Sequence, residues 1–121
     1  MSEGRTIVQR IAVEERRLNK IFKDIDEKRK ATTRGLIQRA AFMRVSLEDL
    51  ESDLNENGFT EEFSQGDQEP YQRERPAAKI YNAMNTSYQK IIRQLTDLLP
   101  KVDQSATPKQ TAEAGDEFDQ F

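Results

Sequence analysis

Glu48, Asp49, Glu51 and Asp53 crowd into one short stretch and form the single side-chain constellation that could support catalysis. Clustered carboxylates can hold Mg²⁺ through their oxygens. On a helix, however, Glu48 and Glu51 share a face while Glu48 and Asp49 diverge, so a solvated acidic face outweighs a metal site. The chain has no His and no Cys. That removes imidazole zinc sites, the commonest general base, and any thiolate or disulfide chemistry. Ser46, Ser52, Ser64 and Ser87 have no base candidate beside them, and neither standard glycine-rich phosphate loop occurs. The expectation is a protein that is not an enzyme and takes no cofactor and no metal.

The basic residues suggest a different chemistry. Arg10, Arg16, Arg17, Lys20, Lys23, Lys28, Arg29, Lys30, Arg34 and Arg39 crowd the first third of the chain. A plain reading is an exposed helix with internal pairs, Asp24 with Lys28 and Asp26 with Lys30 at the favourable i, i+4 spacing. A sharper reading is a phosphate-binding surface. Residues 1–45 keep a net charge of +6 after their acids are subtracted, the electrostatic footprint that nucleic-acid binding needs. No helix-turn-helix with a short glycine turn can be located, so base-specific readout is not indicated.

The whole-chain charge of −3 conceals this segregation. Residues 46–70 contain nine acids and no Lys or Arg, residues 71–100 are net +3, and residues 101–121 are net −3. At 121 residues, 35% hydrophobic and 34% charged, the chain has little apolar material for a self-sufficient core. Copies that pool their apolar stripes are expected. No apolar run approaches a membrane span and the N-terminal residues lack the apolar core of a signal peptide, so a soluble protein is expected.

Three helices must position these groups, giving an all-α class. The first is predicted from Arg5 to Lys30, with Ile11, Leu18 and Ile25 seven residues apart along a narrow stripe. Such a helix needs a partner. The second is predicted from Thr33 to Asn57, lined by Leu36, Ile37, Ala40, Met43, Leu47, Leu50 and Leu54. Gly58 is placed to end it in a Schellman cap, with Phe59 packing back on Leu54. The acids near its C-terminus oppose the helix dipole. Residues 58–75 read as a long loop, in which FTEEF and YQR flank a Gly66–Asp67 turn signal as a short hairpin would. The third helix starts at Pro76 and stops at Pro100. Its apolar face runs Ala77, Ile80, Tyr81, Met84, Tyr88, Ile91, Ile92, Leu95 and Leu98. Residues 1–32 thus form a basic N-terminal segment, 33–100 an antiparallel hairpin and oligomerisation core, and 101–121 a tail with a disordered composition. That tail closes on Asp116, Glu117, Phe118, Asp119, Gln120 and Phe121. Two aromatics among acids read either as plain disorder or as a linear motif for a basic partner.

Residues 34–100 resemble the small terminase subunits of tailed bacteriophages. Leu54 through Gly58 matches that family's "Leu-x-x-x-Gly" turn, Arg75-Pro76-Ala77 its "Asn-Pro-Ala" helix start, and Leu98-Leu99-Pro100 its closing "Leu-Gly-Leu-Thr-Pro" element. The chain departs from the family at Arg75, where the family has Asn, and in its long charged N-terminal helix. The resemblance implies a non-enzymatic ring in the cytoplasm of a bacterial host. Such a ring binds double-stranded viral DNA and recruits and regulates the large terminase subunit. On charge and pattern, the DNA contacts fall to Arg10, Arg16, Arg17, Lys20, Lys23, Lys28, Arg29 and Lys30. Docking of the large subunit falls to Asp116, Glu117, Phe118 and Phe121. Two alternatives stay open: a small phage-encoded inhibitor whose acidic stretch mimics nucleic acid, and a coiled-coil adaptor with no nucleic-acid role.

Overall fold

The computed structural model describes residues 4–101, so the expectations placed on the acidic-aromatic tail lie outside the described residues. Within them the chain runs α1 (Ile7–Ile21), a 3-10 turn (Glu27–Arg29), α2 (Lys30–Asn57), β1 (Thr60–Phe63), β2 (Tyr71–Glu74) and α3 (Pro76–Leu98). The architecture is mostly helical with one two-stranded antiparallel sheet.

α1 is shorter than its hydrophobic period suggests. It opens on a capping box, in which the Thr6 hydroxyl accepts from the Gln9 N–H and the Thr6 N–H donates to the Gln9 side chain. It closes at Phe22 rather than continuing to Lys30. The cause lies downstream: Asp26 caps the next turn by accepting from the Lys28 N–H at 3.3 Å. The expected Asp26–Lys30 and Asp24–Lys28 pairs are not formed, and Lys30 instead pairs with Glu27 at 2.9 Å. The turned chain still brings both Phe22 and Ile25 into the core.

α2 is the central element, 28 residues long and about 42 Å at the standard rise. Thr33, Ala40, Leu47 and Leu54, seven apart, are all buried, and Leu36, Met43 and Leu50 between them are half-buried. α3 answers with the same steps through Ala77, Tyr81, Met84, Tyr88, Ile91, Leu95 and Leu98. Alternating steps of three and four make a coiled-coil seam, here between antiparallel neighbours. Polar contacts fix the register, with Tyr81 bound to Glu51 and Arg75 to Asp53. α1 also runs antiparallel to α2, since Arg10 meets Glu48 and Asp49. The three helices close on one core of Leu18, Phe22, Ile25, Ile37, Ala40, Ala41 and Leu95. It sits at the corner where α1 turns into α2 and α3 ends.

The far end holds the hairpin. Gly58 ends α2 at φ 83°, ψ 177°, donating its N–H to the Leu54 carbonyl at 2.8 Å. The positive φ is as expected, but the extended ψ corrects the Schellman reading. It sends the chain straight into β1 and leaves Phe59 54% exposed instead of folded back on Leu54. A Cβ at Gly58 would meet no atom, so the cost of replacing it is purely conformational. Gly58→Ala is expected to lower the unfolding free energy by about 1–3 kcal/mol, measured by urea titration. The strands pair Thr60 with Glu74 through Phe63 with Tyr71. One face is closed by Glu61–Arg73 at 2.8 Å and by Arg73 stacked 3.5 Å from the Phe63 ring centroid.

Candidate nucleic-acid interface

Antiparallel packing turns the charge segregation of the sequence into a polarity along the bundle. Residues 16–40 and 88–101 share the corner end and carry twelve Lys/Arg against four Asp/Glu. Residues 4–15 and 41–87 share the hairpin end and carry six against twelve. The corner therefore presents a positive potential that steers anions, and the hairpin end repels them.

The acidic cluster does its work inside the fold. Arg10 reaches from α1 to Asp49 at 2.8 Å and Glu48 at 3.3 Å, and Arg44 holds Glu48 from the preceding turn at 3.3 Å. The Tyr81 hydroxyl donates to Glu51 at 2.9 Å. Both oxygens of Asp53 accept from Arg75 at 3.1 Å, and Asn57 donates to the same carboxylate. Arg75 also donates to the Gly58 carbonyl at 2.8 Å. Cations from α1 and α3 thus neutralise acids that α2's own dipole disfavours. Among the described residues no group of three or more carboxylates is arranged to hold a metal ion.

These contacts set a pH window. Hydrogen bonds from Asn57 and then Arg75 hold the Asp53 carboxyl below its ordinary range. The hydrogen bond to Glu51, with burial second, pushes the Tyr81 phenol up. A lowered acid stabilises the fold above its unfolded pKa and loses that contribution as pH falls through the folded value. A raised phenol contributes below its unfolded pKa and loses that contribution as pH rises through the folded value. Thermal stability should therefore hold between about pH 4 and pH 10 and decline on both sides. Tyr81→Phe should abolish the Tyr81-linked part of the alkaline decline, read from melting curves at each pH.

The eight cations assigned from the sequence fall into two groups. Arg16, Lys20, Lys23, Lys28 and Arg29 are exposed, and among the described residues none lies in an ion pair. Arg17 is held by Glu14 through two contacts of 2.6 and 2.8 Å, Lys30 pairs with Glu27, and Arg10 is spent at the opposite end. The structure does not bring Arg10 to the others. It adds Arg34 from α2 and Lys90, Arg93 and Lys101 from the α3 end of the chain, all exposed. Arg34 belongs to the basic cluster named from the sequence but not to the DNA contacts assigned there, while Lys90, Arg93 and Lys101 lie outside that cluster. The signal for the last three is topological, because an antiparallel third helix returns its C-terminus to the corner.

No family model, curated protein or solved structure matches this chain. The site therefore stands on its own geometry. Between α1 and α2 the corner holds a groove of about 200 Å³ lined by Asn19, Phe22, Lys23, Lys30, Thr33, Arg34 and Ile37. Its apolar members are nearly covered, Phe22 at 7% and Ile37 at 3% exposure, and its three cations are exposed. Such a groove can hold an anion and rest an apolar group beneath it. Among the described residues no helix is long and apolar enough to cross a membrane.

Proposed function

We propose that the protein is a non-enzymatic DNA-binding component of the small terminase kind, several copies of which set their basic corners against duplex DNA. The observation that carries the reading is the twelve-to-four excess of Lys/Arg over Asp/Glu at one end of the bundle. Glu48, Asp49 and Asp53 are held in ion pairs at the other end. Contacts of this kind go to phosphates and carry no sequence information, so binding is to duplex DNA in general. Assembly into a ring draws support from apolar side chains that the fold leaves uncovered, Phe42 on α2 and Ile80 on α3, each 52% exposed. In a ring the corners repeat, and weak single contacts add. Asp116, Glu117, Phe118 and Phe121 would dock the large subunit. Mimicry of nucleic acid is the weaker reading, because Arg10, Arg44, Arg73, Arg75 and Tyr81 already occupy carboxylates of the acidic stretch.

The test is solution mass together with titration of a random-sequence duplex by fluorescence anisotropy. An assembly of roughly eight to ten copies whose affinity drops steeply with salt supports the proposal. A monomer or dimer removes the ring, and affinity that ignores salt removes the phosphate contacts.

A further inference from the structure

The basic corner is also where the chain leaves the described fold. Leu98 and Leu99 pack against the core cluster that contains Phe22 and Ile37, and Lys101 is the last described residue. The residues that follow, 102–121, contain Asp103, Glu113, Asp116, Glu117 and Asp119 against the single cation Lys109. Their aromatic side chains are Phe118 and Phe121, both inside the final acidic run.

This composition complements the groove at the corner. Lys23 and Arg34 supply cations for the carboxylates, with Lys30 shared with Glu27, and the nearly covered edges of Phe22 and Ile37 lie beneath them. A ring seated among such cations gains cation–π attraction as well. Reach does not limit the encounter, since the fourteen residues between Lys101 and Asp116 span about 50 Å when extended. Charge decides the destination, because the hairpin end has twice as many acids as cations and the corner has three times as many cations as acids. A segment tethered this close is presented at an effective concentration on the order of millimolar, so even a weak contact is occupied.

We propose that residues 116–121 of the same chain occupy the groove of Lys23, Lys30 and Arg34 and compete there with the phosphates of DNA. The competition rests on the DNA-binding reading above; the intramolecular contact does not. Non-specific DNA would then be held off until something with higher charge density, or a partner that takes the tail, displaces it. The tail thus acts as a built-in threshold on binding.

Carbodiimide coupling of the full chain, without DNA, tests the contact directly. It should join Lys23 and Lys30 to Asp116, Glu117 or Asp119, mapped by peptide mass, and leave Lys79 at the hairpin end unjoined. Mixing light and heavy isotope-labelled chains should give products within one chain. Absence of these links, links to Lys79 in equal measure, or links between light and heavy chains would each overturn the proposal. The full chain carrying Asp116→Asn, Glu117→Gln, Phe118→Ala, Asp119→Asn and Phe121→Ala should bind a random-sequence duplex roughly tenfold tighter at low salt. Equal affinity in both chains, with no cross-links, removes the tail contact and leaves DNA binding intact. Cross-links without duplex binding by either chain remove the DNA-binding reading and the competition, and leave the contact standing.

Discussion

Replacing Leu95 with Ala should lower the unfolding free energy by about 2–5 kcal/mol, the range for emptying a closed core site. Leu95 has no exposed surface and belongs to the cluster in which α1, α2 and α3 meet. A domain of this size has only about 5–15 kcal/mol in total, so the variant should be partly unfolded at physiological temperature. Urea denaturation followed by far-ultraviolet circular dichroism measures the loss. Ile80→Ala is the companion variant. Ile80 is 52% exposed, and its truncation should move stability by no more than about 0.5 kcal/mol in the absence of assembly. If the helices pool their apolar lines between copies, Ile80→Ala should instead weaken the oligomer, read as a drop in solution mass on dilution.

Neutralising Arg16, Lys20, Lys23, Lys28 and Arg29 to Gln should remove most of the affinity for duplex DNA while leaving the melting temperature nearly unchanged. Each phosphate contact contributes about 0.9 to the slope of log affinity against log salt. Losing five contacts per bound chain should flatten that slope by roughly 4.5. Stability should hold because none of the five lies in an ion pair among the described residues and all are exposed. Arg10→Gln should do the reverse. Arg10 sits at the hairpin end, bonded to Glu48 and Asp49 with its side chain 19% exposed. Its loss should destabilise the docking of α1 and leave the salt slope as it was. An unchanged affinity in the five-fold variant would sink the interface.

Local signals made much of this fold legible. Pro76 starts α3, Gly58 ends α2 with positive φ, and FTEEF and YQR pair across the loop. Each of these depends on one residue's own conformational preference or on near neighbours. The end of α1 was not legible in the same way. Phe22 and Ile25 fit a continuing helix as well as they fit a turn, and the deciding feature, Asp26 as a cap, competed with its equally plausible pairing to Lys30. The use of the acidic cluster was hidden for a different reason. Arg10 and Asp49 are 39 positions apart, and Arg75 and Asp53 are 22 apart, so no window along the chain contains both partners. The candidate site shows the same division. Its α1 cations could be named from charge alone, whereas Lys90, Arg93 and Lys101 join only once α3 is known to return.

The groove has one wall on α1 and the other on α2, and α1 is the terminal helix of the bundle. α1 is a 15-residue segment, too short to persist as a helix in water by itself. Its order is borrowed from α2. Local opening of such an edge unit costs less than global unfolding, and it would erase the groove while the α2–α3 pair stays folded. The proposed binding at the groove would then require α1 to stay docked on α2, which makes that docking a natural point of control.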